Sequence, residues 1–263
     1  MIHSRKLIAS LMLLCSLSSL NIVYAANSMD SDIPNGISDR IVGDVGAAVY
    51  STNLNIGSYG TQSIVLPYGF FDYKRFAMRI DQLAFKTLPV GFGFLEIVGK
   101  VDPDSYQVKS TINGQTINKG YQVPIGLGTF QETPIGAFFL NAYHDFGQSK
   151  GNLLEMNYFG EIELMSKVVL YPQVGMEHQS GSYANYYYGV TSGQAQSTGY
   201  SAYTATSSNN LLAGFLLEIP VAEDWYINLY GKRKWLGSGV NNSPVLTRSF
   251  QDTMFMALAY RFR

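Results

Sequence analysis

From residue 41 onward, apolar and polar side chains change places at every second position. In 153–165, "LLEMNYFGEIELM", Leu154, Met156, Tyr158, Ile162 and Leu164 share one face. Glu155, Asn157, Glu161 and Glu163 share the other, with Phe159 among them. Successive side chains of a strand point to opposite faces, so this is a strand with one apolar and one polar side. The pattern recurs in 41–50, where Val45, Ala47 and Val49 oppose Asp44 and Tyr50, and in 121–131, 167–178 and 209–220. In 224–236, Trp225, Ile227 and Leu229 oppose Asn228, Lys232 and Lys234, and in 250–262 Met254, Met256, Leu258, Tyr260 and Phe262 line up. Segment 135–146 is apolar on both faces, and its phase stays open.

Alternating strands suit either a soluble sandwich or a barrel that is greasy outside and wet inside. Two features favour the barrel. Glu161, Glu163, Lys232 and Lys234 all fall on the polar, inward face, where a dry core tolerates charge badly and a wet lumen does not. These four are candidate lumen charges, able in principle to pair across the interior. Trp225 and Trp235 lie on the same apolar face, and that spacing spans roughly 25 Å of a tilted strand. This is about the height of the lipid-facing band between two aromatic girdles. Short connections near 132–135, 166–167 and 221–224 alternate with long polar ones at 102–120, 146–152, 179–207 and 237–249, as periplasmic turns alternate with outer loops.

The expected fold is therefore all-β, an antiparallel transmembrane β-barrel of residues 41–263. Residues 62–80 keep one apolar phase across "DYKR" and read as one long strand or as two short ones. With both chain ends periplasmic the count is even; one long strand gives ten strands, and twelve is the alternative. The closing segment "TMFMALAYRFR" places Tyr260 and Phe262 where barrel-insertion machinery reads a terminal aromatic signal, although Arg263 follows.

Composition narrows the function. Of 263 residues only 14% are charged and no basic block appears, so a nucleic-acid face is excluded. Arg5 and Lys6, the apolar run "LIASLMLLCSLSSL" and "VYA" ending at Ala25 form a cleavable signal peptide over 1–25, followed by a flexible periplasmic lead-in over 26–40. The single cysteine, Cys15, falls in that leader, so no disulfide is expected in the mature chain. Export and the barrel together place the protein in the outer membrane of a Gram-negative bacterium, in contact with outer-membrane lipid. No stretch after residue 25 offers ~18 unbroken apolar residues for a spanning helix.

The stretch 183–203, "YANYYYGVTSGQAQSTGYSAY", resembles a loop of the MipA/OmpV family of outer-membrane proteins. The residues that carry the resemblance are Tyr187, Tyr188, Gly189, Val190, Gln194, Ala195, Ser197, Gly199 and Tyr203, with Tyr188 where the family usually has Phe. Ser243-Pro244 and the closing "ALAYRF" add to it, over roughly 42–262. The resemblance implies an outer-membrane barrel. It also implies a non-enzymatic scaffold for murein synthesis, with a lytic transglycosylase and a penicillin-binding protein as partners. A narrow small-solute channel or a surface adhesin is the alternative, and a lipid hydrolase comes third.

Chemistry on the residues themselves is sparse. His144 beside Asp145, and His178 near Ser180 and Ser182, are the available bases for a nucleophilic serine. Two distant histidines without ligand spacing predict no zinc site, and "DPDSY" lacks a calcium-loop spacing. No cofactor is expected.

Overall fold

The computed structural model describes residues 37–263 except 102–105, 111, 113 and 166. The signal peptide expected over 1–25 and most of the lead-in expected over 26–40 thus lie outside the described residues. The strands are β1 (Val42–Asn53), β2 (Thr61–Tyr73), β3 (Phe76–Arg79), β4 (Gln82–Val90), β5 (Gly93–Lys100), β6 (Tyr106–Lys109), β7 (Thr116–Lys119) and β8 (Ile125–Thr133). They continue with β9 (Gly136–His144), β10 (Asn152–Phe159), β11 (Ile162–Met165) and β12 (Val168–Gln179). Two short helices follow, α1 (Gly181–Tyr188) and α2 (Ser192–Thr198), then β13 (Ser208–Pro220), β14 (Trp225–Trp235) and β15 (Phe250–Phe262).

Neighbouring wall strands are antiparallel throughout, and β15 pairs with β1 from Gly43↔Phe262 to Asn53↔Asp252. β10 pairs directly with β12, and β11 continues β10 below a break at Gly160. With β6 and β7 in a separate hairpin, the wall closes with twelve strands, the higher of the two expected counts. Closure leaves no sheet edge between first and last strands, which a bilayer would leave unsatisfied.

Residues 62–80 hold the reason for the count. Tyr73 pairs with Phe76 across a two-residue turn whose Lys74 has φ +53, so the chain reverses there. The reversal also swaps the phase. Tyr68, Phe70 and Asp72 point into the barrel, whereas Phe76 and Met78 point out of it. The apparent single phase over 62–80 is thus two opposite faces that are both apolar. Segment 135–146 resolves in the same way: Phe139, Asn141 and Tyr143 face inward, while Phe138, Leu140 and His144 face outward.

Elsewhere the alternation reads directly. Outward Met254, Met256 and Leu258 remain half-exposed, while inward Phe255, Ala257 and Ala259 are buried. Trp225 and Trp235 project outward at the two ends of β14. Trp225, Tyr260 and Phe262 form one aromatic cluster at the turn end, with ring centroids 5.5 and 4.9 Å apart.

Candidate functional site

The lumen fills in layers. At the turn end Arg261 (β15) donates from Nε and Nη2 to Asp44 of β1 at 2.7 and 2.8 Å. It also donates from Nη1 and Nη2 to Glu218 of β13 at 3.0 and 2.5 Å, with its guanidinium 3.9 Å from the Tyr226 ring centroid. Planar, bidentate pairing of this kind suits arginine in a buried position. Across the barrel, Asp72 accepts from Arg79 at 2.6 Å and pairs with Lys86 at 3.0 Å. Arg79 is sandwiched between the rings of Phe70 and Phe130, 4.9 Å from each.

Above these pairs lies an aromatic belt. Tyr230 stacks on Phe255 at 4.9 Å, and Tyr68 packs on Phe255 at 5.7 Å. Higher still, Lys100 binds Glu155, while Glu177 accepts from Asn210 and Gln179 at 2.8 Å each and pairs with Lys234 at 3.5 Å.

The predicted lumen charges therefore sit at different heights. Lys232 and Lys234 point inward near the loop end, where the partner of Lys234 is Glu177. Glu161 and Glu163 are exposed beside the turn preceding Val168. The structure does not bring the two pairs together. Asp44, Asp72, Arg79, Lys86, Glu218 and Arg261 carry most of the ionic contacts in the turn half and were not singled out from sequence. Arg261 could have been: it alternates with Tyr260 and Phe262, which puts it on the inward phase.

The loop motif builds the lid of the barrel. Ser180 caps α1 by accepting from Tyr183 N–H, and the buried Tyr183, Ala184, Tyr187 and Tyr188 face the mouth. Gly189 ends the helix where a Cβ would lie 2.4 Å from the Asn185 carbonyl oxygen, so only glycine fits. Val190 and Tyr203 exchange backbone hydrogen bonds of 2.8 and 2.9 Å. Thr191 and Gln194 form a reciprocal capping box on α2. Ser197 Oγ donates to the Gln194 carbonyl at 3.1 Å, and Gly199 N–H to the Ala195 carbonyl at 3.0 Å, with Gly199 at φ +81. Tyr203 Oη donates to the Gly239 carbonyl at 3.2 Å, and Ser243 Oγ to the Tyr188 carbonyl at 2.5 Å.

Four loops meet in this lid. Leu54 and Ile56, Tyr106, Val108 and Ile117, the α1 tyrosines, and Val240 and Val245 form one buried cluster. Tyr106 Oη donates to the Tyr187 carbonyl. Between lid and lumen charges, a void of about 10 Å³ lies near Tyr188, Lys234 and Gln251, at most room for one water.

The histidines are held at the rim. His144 Nδ1 lies 2.7 Å from Asn152 Oδ1, and His178 Nδ1 lies 2.6 Å from Asn209 Oδ1, both on the outward face. Ser180, the serine nearest His178 in sequence, is occupied as the α1 cap and accepts from Asn152 N–H at 2.8 Å. Asp145 accepts from Ser149 Oγ at 2.5 Å and from the amides of Gly147 and Ser149. Burial pushes its carboxyl up, but those three hydrogen bonds outweigh burial and hold it below the usual carboxylate range.

A twelve-stranded wall, apolar outside, with a charged and plugged interior and a folded lid, defines an integral outer-membrane β-barrel. The comparisons give the family. The family described as MltA-interacting protein MipA matches residues 45–262, and the chain belongs to it. Outer membrane protein Omp26La of Vibrio anguillarum is 29% identical over 216 residues, 81% of this chain and 79% of that protein. Outer membrane protein OmpV of Vibrio cholerae is 30% identical over 148 residues, 56% of this chain and 54% of its own length. Among solved structures, OmpT of Vibrio cholerae aligns with a TM-score of 0.35 at 8% identity, covering 85% of this chain and 97% of that one. The protein is an outer-membrane protein, as its Vibrio relatives are.

Proposed function

We propose that this barrel is a closed, non-enzymatic docking partner for murein-synthesising enzymes, offering its periplasmic rim to a lytic transglycosylase and a penicillin-binding protein. The observation that carries the reading is the lid over the mouth: four loops contribute to one buried cluster there, which favours a closed barrel over an open pore. The family's description as MltA-interacting adds the partner class. The rim itself is formed by the turns at 74–75, 91–92, 134–135 and 221–224 and by the start of the wall at Val42. The exposed Glu161 and Glu163 beside that rim suit a polar contact.

In this reading Trp225 and Trp235 anchor the two membrane interfaces, and Tyr260 with Phe262 serves as the insertion signal. The asparagine partners of both histidines favour a rim role over a catalytic one. Photo-crosslinkers placed at Ile135 and Glu223 in cells should recover both enzyme classes. Recovery of neither class would overturn the docking role. Discrete conductance steps in a planar bilayer would overturn the closed state and favour a narrow channel instead.

A further inference from the structure

The wall has a gap. β3 reaches only to Arg79, paired with Phe70, and the next residue, Ile80, donates its N–H to the Gly69 carbonyl at 2.8 Å. Above Gly69, β2 runs on to Thr61 paired with β1 alone; among the described residues no strand covers its other edge. The bond at Gly69 fixes which residues aim their peptide groups at the open side: Thr61, Ser63, Val65 and Pro67, at every second position. Pro67 has no N–H to leave unpaired, which is where proline is tolerated in a sheet. That edge is about 20 Å long at ~3.3 Å per residue, comparable to the ~15 Å of hydrocarbon in one leaflet. From Ile64 to Pro67 it is apolar on both faces, with Ile64 and Leu66 exposed although they point inward and Val65 73% exposed on the outside, while Thr61, Gln62 and Ser63 make its upper end polar.

At the head of the gap lies a cavity of about 270 Å³. Tyr59, two residues before β2, lines one side, and Tyr121, leading into β8, lines the other. Tyr106, Asn118 and Lys119 of the β6–β7 hairpin line it from above. Lys119 shares the inner face of β7 with Ile117 and is only 8% exposed. Its ammonium lies 5.2 Å from the Tyr186 ring centroid. Among the described residues no carboxylate or hydrogen-bond acceptor holds it, so burial alone pushes its pKa down. Among the described residues only the Tyr186 ring face holds this buried cation, and an anion entering the cavity lowers the cost of burying it.

We propose that this cavity binds the anionic head of a single-chain amphiphile on Lys119, with the hydrocarbon tail lying along the open edge of β2. The ligand reaches the site sideways, from the outer leaflet, so a sealed mouth does not block it. This site is independent of the periplasmic docking role.

The test uses the full mature barrel in phosphatidylcholine nanodiscs, titrated calorimetrically with dodecanoate against empty discs. Saturable binding is expected, weakened at least tenfold by Lys119→Met and retained by Lys119→Arg, with heat-modifiable gel mobility verifying that each variant is folded. Lys109→Met, on the exposed face of the same hairpin, should leave binding unchanged. No binding, equal binding by Lys119→Met, or equally tight binding of acetate or inorganic phosphate would overturn the proposal. For the tail, a Val65→Trp variant with Trp225→Phe and Trp235→Phe should be quenched by 11-bromoundecanoate. Binding without quenching would refute the lateral placement.

Discussion

Arg261 ties together strands that are not neighbours: Asp44 lies on β1, beside its own strand, and Glu218 lies beyond β14 on β13. All three side chains are largely buried, so the arginine cannot be removed without stranding two carboxylates. Replacing one member of such a network typically costs about 3–5 kcal/mol. Arg261→Met should therefore unfold at lower urea than wild type in detergent, and Arg261→Met with Asp44→Asn and Glu218→Gln should recover much of the loss. Asp145 works at a different pH. Its folded pKa is depressed, so its contribution is present above the unfolded carboxylate value of about 3.9 and lost only as pH falls through the lower folded value. Ser149→Ala removes one of the lowering hydrogen bonds. Amide exchange in 145–151 should then lose protection at a higher pH than in wild type, and an unchanged profile would refute the assignment.

At the scale of elements, the strands whose two faces differ in polarity were legible, and those whose faces agree were not. In β15 the outward Met254, Met256 and Leu258 alternate with inward residues that are small or polar apart from Phe255, so both phase and orientation follow from residues 250–262. In β2 the inward Tyr68 and Phe70 belong to the aromatic layer, so periodicity runs unbroken through the reversal at Lys74. The lumen is partly apolar there, and alternation carries no sign. The helices in 180–199 were read as loop because Tyr, Ser and Gly dominate, yet Thr191-x-x-Gln194 is a capping box visible in sequence. The motif that carries the family resemblance proves to hold the lid: Tyr187 and Tyr188 are buried in it, and Gly189 and Gly199 end its helices. Tyr187→Ala combined with Tyr188→Ala removes two aromatic side chains from that cluster, at about 3–5 kcal/mol for each large buried ring. The variant should stay folded and heat-modifiable while admitting a small dye into proteoliposomes that wild type excludes.

The whole molecule pairs a bilayer-facing exterior with an interior that carries salt bridges, aromatic rings and a folded lid at successive heights. Twelve strands make a barrel between the smallest, filled by side chains, and the 16-stranded porins with aqueous channels. Salt bridges at the turn end, aromatic rings above them and the lid at the top occupy that space. Purified protein should therefore give a β-type circular dichroism spectrum and a heat-dependent shift on gels, and reconstituted vesicles should show no ion leak. A helical spectrum would refute the barrel, and a leak would refute the plug.

The lid is pinned by Ser243 and Gln251, which bind Tyr188 from the last loop and the last strand. Its tyrosines therefore cannot settle until translocation of the entire polypeptide is over and β15 has joined β1. A barrel caught part-way through assembly is consequently an open hole in the envelope, and biogenesis defects in this protein should register first as permeability, before any shortage of finished copies is felt.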